Sequence, residues 1–122
     1  MSEVTNAILY YGNGSDRVLE GVNKFFDQVE NQRQRGFVSM DDPSLPHGWY
    51  GGAKMLEGEL AIGAFNYLDV EALVEYLCQQ CAKNELDPSS QLILQEQWED
   101  RFRIINIDDE MRRRGMHVPE AW

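Results

Sequence analysis

An α+β domain, with one mostly antiparallel sheet of about five strands and two helices on one face, is what this sequence predicts. Three observations carry that reading. Short apolar runs bounded by Gly, Pro, Asn and Asp occur at 7–11, 37–40 and 60–68, and as a pair within "QLILQEQWEDRFRIINI". Two intervening segments repeat their apolar residues at helical period. The order is therefore strand, helix, strand, strand, helix, strand, strand. Its first six elements match the split β-α-β pattern of a ferredoxin-like fold, and the seventh is an extra C-terminal strand.

The first strand, "AILYY", stops at the turn signal Gly12-Asn13-Gly14. Ser15 is placed to cap a helix, with Asp16 in its first turn. Val18, Leu19, Val22, Phe25, Phe26 and Val29 then form one helical face, opposite Arg17, Glu20, Lys24, Asp27, Gln28 and Glu30. "NQRQR" and Gly36 are expected to end that helix. "LAIGAFNYL" is nearly all apolar and reads as a central strand buried on both faces, with Gly63 marking a bulge or a close helix approach. Asp69 caps a second helix whose apolar face is Val70, Leu73, Val74, Leu77, Cys78 and Cys81, broken at "NELDPSS". A hairpin follows, turning at Glu99-Asp100, with Leu92, Leu94 and Trp98 in the inward register and Phe102 and Ile104 alternating with Arg101 and Arg103. Residues 108–122 read as a tail, extended or mobile apart from a last helical turn before Gly115.

At 122 residues and 43% hydrophobic content the chain makes one domain, large enough for a core without disulfides or metal. No apolar run approaches the roughly 20 residues that span a bilayer, and no secretory signal opens the chain, so a cytoplasmic protein is expected. Cys78 and Cys81 fall late in a helix, where a redox pair would sit at a helix start, and no second pair completes a zinc site. They read as small buried residues, and neither metal nor cofactor is expected.

The net charge of −10 is uneven. Residues 36–100 hold twelve carboxylates against Lys54 and Lys83, so this middle segment carries the whole net charge. Direct nucleic-acid binding is disfavoured by that sign, and a basic protein partner is favoured, because the field steers its approach. The competing reading is that the acidity serves solubility alone. The basic cluster Arg112-Arg113-Arg114 is expected to close back on acidic residues of the same chain or of a second copy, so both monomer and homodimer stay open.

No nucleophile elbow, P-loop, dinucleotide fingerprint or H-E-x-x-H motif is present, and "GNGSD" lacks the lysine and length of a phosphate cradle. The stretch 41–59, "DDPSLPHGWYGGAKMLEGE", is the best functional lead. It places His47, Trp49 and Tyr50 between Asp41 and Asp42 on one side and Glu57 and Glu59 on the other. Trp and Tyr are enriched at interface hot spots, and a carboxylate rim suits Lys and Arg of a partner. The alternative is that Trp49 folds over the sheet edge and completes the core. Glu99 and Asp100 at the hairpin turn make a second acidic patch.

These features point to a small acidic protein that binds and neutralises a basic partner, such as a toxin or nuclease. It is of the same physical type as the immunity proteins that protect bacteria from toxins. The expected contact residues are Asp41, Asp42, His47, Trp49, Tyr50, Glu57, Glu59, Glu99 and Asp100. Two other readings stay open. One is a nucleic-acid mimic from a mobile element, which would set carboxylates in rows on one face. The other is a ligand-binding or enzymatic domain using His47 as base or ligand. No catalytic residue is assigned.

Overall fold

The computed structural model describes residues 3–27, 35–45 and 59–122. Their elements are β1 (Val4–Tyr10), α1 (Asp16–Asp27), β2 (Val38–Ser39), β3 (Leu60–Asn66), α2 (Val70–Ala82), β4 (Gln91–Glu96), β5 (Arg103–Asn106) and α3 (Ile107–Arg113). The strands form one open antiparallel sheet in the order β2-β3-β1-β4-β5.

Alternation explains which face is covered. Thr5, Ala7 and Leu9 of β1, Ala61 and Phe65 of β3, and Leu92 and Leu94 of β4 are buried beneath the helices. Helix α1 presents Leu19, Val22, Phe25 and Phe26 to them, and α2 presents Leu73, Val74, Leu77, Cys78 and Cys81. At the centre Phe26 stacks on Phe65 with centroids 4.6 Å apart, and Phe37 meets Phe65 edge-on at 5.1 Å. Asp69 caps α2 by accepting the Ala72 N–H at 3.0 Å, as the sequence predicts. Asn84, at φ 59, closes it: the Glu85 N–H donates to Gln80 O and the Asn84 N–H to Cys81 O.

Four expectations need correction. The helices number three among the described residues, because 107–113 exceeds the single turn read from the tail. Ile107 and Met111 are buried one turn apart, acidic residues fill the first turn of α3 and Arg112 and Arg113 the last, and Gly115 at φ 70 lets the Met116 N–H return to Met111 O. Strand β3 is not buried on both faces, since Ala64 and Asn66 lie exposed on the side without helices. Gly63 marks no bulge: it pairs with Ala7 in unbroken register, and a Cβ there would lie 2.3 Å from Phe65 Cζ, so its role is to make room for that ring.

The fourth correction is the hairpin register. Leu92 pairs with Ile105 and Leu94 with Arg103, so Ile105 faces the core while Ile104 stands on the open face, 61% exposed. Strand β4 ends at Glu96, and the turn that follows, with the Glu99 N–H donating to Glu96 O, breaks the alternation before Trp98. Trp98 is consequently 77% exposed instead of inward.

The tail is docked. The Trp122 N–H points to Asp87 Oδ1 at 3.4 Å, the Trp122 carbonyl accepts Asn13 Nδ2–H at 2.7 Å, and the Trp122 indole donates to Asn84 Oδ1 at 3.0 Å. The arginine cluster closes onto acids of its own chain. Arg112 meets Asp109 and Arg113 meets Glu110, each at 3.0 Å, while Arg114 bridges Glu110 to Glu71 of α2.

Candidate partner-binding site

The acidic site is built at the end of the sheet where β1 finishes and β3 begins. The Tyr11 N–H donates to Glu59 O at 3.1 Å and the Met40 N–H to Leu60 O at 2.9 Å, which brings the segment after β2 beside the start of β3. Asp42 then shapes a turn, its Oδ1 accepting the Ser44 N–H at 2.8 Å and the Ser44 hydroxyl at 2.6 Å. Asp41 stands exposed next to it, with its N–H held by Ser39 Oγ at 3.2 Å.

Helix α1 forms the facing wall. The Asn23 amide clamps the chain entering β2, donating to Phe37 O at 2.9 Å and accepting the Phe37 N–H at 2.8 Å. Gly36 permits this approach, because a Cβ there would lie 2.3 Å from Asn23 Oδ1. The clamp leaves an open groove of about 370 Å³ between α1 and β2, whose charged lining is Asp16, Glu20, Asp41 and Asp42 with Arg35 as the one cation among the described residues. Asp16 and Glu20 are one helical turn apart and both exposed.

Behind the groove wall the Tyr11 side chain is wholly buried, and its hydroxyl has no hydrogen-bond partner among the described residues. Burial pushes the phenol above its ordinary value. The Ser39 hydroxyl beside it works the other way, while the negative charges of Glu59 and Asp16 add to the rise. Ser39 and Glu59 are neighbours that stop short of hydrogen-bonding geometry. Tyr11 thus stays neutral, and the described carboxylates at this end of the sheet come from three chain segments.

The structure brings together Asp41, Asp42 and Glu59 of the expected contact residues. His47, Trp49, Tyr50 and Glu57 lie outside the described residues, so the aromatic half of the lead has no geometry here. Glu99 and Asp100 sit at the opposite end of the sheet, since the Glu96 end of β4 pairs with Thr5 whereas its Gln91 end pairs with Tyr10. Glu99 is engaged in its own hairpin, where Arg103 Nε reaches it at 3.3 Å. Asp16 and Glu20 are members that the sequence reading missed. Their spacing of four put them on one helix face, but only the fold sets β2 against that face.

Elsewhere the chemistry is quiet. Among the described residues no group of three or more His, Cys, Asp or Glu side chains is arranged to hold a metal ion, and no helix is long and apolar enough to cross a membrane. Cys78 and Cys81 are free and fully buried. Burial raises both thiols, Cys81 to about 12, with Cys78 itself the next contributor there. Neither cysteine is expected to react with iodoacetamide at pH 8 while the protein is folded, and both are expected to react in guanidinium. Mass spectrometry reads this directly, and a native adduct would contradict the packing. Comparison of the chain with protein families, curated proteins and solved structures finds no match in any of them.

Proposed function

We propose that the protein binds a basic protein partner, such as a toxin or nuclease, and neutralises it as an immunity protein or inhibitor does. The receiving surface in this reading is the groove between α1 and β2. The observation that carries it is the convergence of Asp16, Glu20, Asp41 and Asp42 around one groove, with Glu59 close behind. A groove of about 370 Å³ has room for a Lys or Arg side chain, and the surrounding carboxylates meet it with opposite charge. The exposed face of α1 mixes Asp16, Glu20 and Asp27 with Arg17 and Lys24, which argues against the phosphate-like rows of a nucleic-acid mimic.

The fold belongs to the same proposal. With β1 lying between β3 and β4, and β2 at one edge, the strand order supports a ferredoxin-like core extended by β5 and α3. The cytoplasm is the compartment proposed for the encounter, and two buried free thiols suit its reducing conditions.

Association kinetics with a lysine- and arginine-rich peptide test the site. Glu20→Lys and Asp41→Lys alter exposed side chains and should leave thermal stability nearly unchanged. Each is expected to slow association about tenfold at low salt, and the wild-type rate should fall steeply as salt is raised. Equal rates for wild type and both variants would reject the groove as the receiving surface.

A further inference from the structure

We propose that the sheet face on which no helix lies among the described residues is a self-association surface, against which a second copy of this chain packs face to face. The face is defined by strand pairing. Val38 pairs with Ile62, Ile62 with Ile8, Ile8 with Ile93 and Ile93 with Ile104, so one β-branched row crosses all five strands. The row is half-buried on its first four members and ends on the exposed Ile104 of an edge strand.

The polar positions around the row are neutral: Asn6, Tyr10, Asn66, Gln91, Gln95 and Asn106. No described strand residue on this face carries a charge. The charged strand residues Glu96 and Arg103 belong to the other alternation and pair with each other at 3.5 Å. On a chain of net charge −10 this neutrality selects the occupant. Among the described strand residues of this face, a basic partner would find no carboxylate and a nucleic acid no cation. Two copies can meet here without burying an unpaired charge, which a buried interface does not tolerate.

Geometry allows the pairing. A two-fold axis in the plane between two such faces sets row against row, with the sheets about 10 Å apart. Five strands spaced at about 4.8 Å, with β1 rising about 3.4 Å per residue, offer on the order of 500 Å² of projected area. That is somewhat below the roughly 800 Å² per partner of a standard interface, so the dimer is expected to be weak, with a dissociation constant of micromolar order. The acidic groove lies against the β2 edge, where Val38 belongs to both surfaces, but its carboxylates Asp16, Glu20, Asp41 and Asp42 lie off the row.

Sedimentation equilibrium of the full chain between about 5 µM and 1 mM tests the proposal. The expected result is a mass rising from 14.1 kDa toward twice that value, with association unchanged or strengthened by added salt. Ile104→Lys, at an exposed position, should weaken association at least tenfold with an unchanged circular dichroism spectrum, and Ile104→Thr should weaken it less. A wild-type mass that stays at 14.1 kDa up to 1 mM would overturn the proposal. So would a dimer that salt dissociates, or one that Ile104→Lys leaves intact.

Discussion

Replacing Asp87 by Ala is expected to destabilise the protein by about 4 kcal/mol, the largest loss from any single polar side chain described here. Asp87 is fully buried in the turn between α2 and β4. One oxygen accepts the Asn13 N–H at 3.1 Å, and the other accepts the Ser89 N–H at 3.0 Å and the Ser89 hydroxyl at 2.9 Å. The docked tail adds the Trp122 N–H. The turn after β1, the turn before β4 and the end of the chain are therefore tied to one carboxylate. Gly12, at φ 64, is the backbone that lets it approach, since a Cβ there would sit 2.3 Å from Asp87 Oδ2. Alanine would leave these part-buried donors without their shared acceptor and a void where the carboxylate was.

The pH dependence of this residue has a definite sign. Burial alone would raise the carboxyl, but the donors from Ser89, Asn13 and Trp122 outweigh it and hold the group below its ordinary value. Its contribution is then fully present above the unfolded value of about 3.9, and it is lost as the pH falls through the folded value. Asp87→Asn should cost about 2 kcal/mol at pH 7, because its amide N–H₂ faces donors. The wild-type advantage over that variant should shrink below about pH 4. Urea unfolding at pH 7 and pH 3 measures both effects, and an advantage unchanged between them would contradict the assignment.

The second large effect is expected at Gly63→Val, at about 3 kcal/mol, or roughly 10 °C in Tm for a domain of this size. The Phe65 ring occupies the space where a side chain on residue 63 would stand, and it is held there by Phe26 and Phe37. Any Cβ must expel that ring from the centre of the aromatic cluster. The cause is separable from strand propensity, because Val is the better strand former. In a Gly63→Ala background, Phe65→Leu should cost less than it does in the wild type, since the shorter side chain vacates the contested position. Additive losses in that cycle would place the cost elsewhere.

Much of the fold was legible because local and tertiary preferences agree. The period of Leu73, Val74, Leu77, Cys78 and Cys81, the Asp69 cap and the Asn84 stop each specify α2 within a short window, and the sheet then uses the same face. Legibility failed where the deciding contact is distant in sequence. Trp98 continued the inward alternation on paper, and only the turn closed by the Glu99 N–H on Glu96 O shows that the strand ends before reaching it. Asp87 read as one polar residue in a breaker segment, because its donors at Asn13 and Trp122 are far along the chain. The candidate site divides the same way. Asp41, Asp42 and Glu59 stood out by composition, whereas Asp16 and Glu20 looked like an ordinary wet helix face until the Asn23 clamp set α1 beside β2.

The most direct measurement is an amide chemical-shift titration of the labelled protein with the same basic peptide, at low and at physiological salt. The expected result is a saturable footprint on Asp16, Glu20, Ser39, Asp41 and Asp42, weakened by salt, with the β4–β5 hairpin, including Ile93 and Ile104, unmoved. A footprint spread evenly over the surface, or centred on Glu99 and Asp100, would contradict the groove as the partner site.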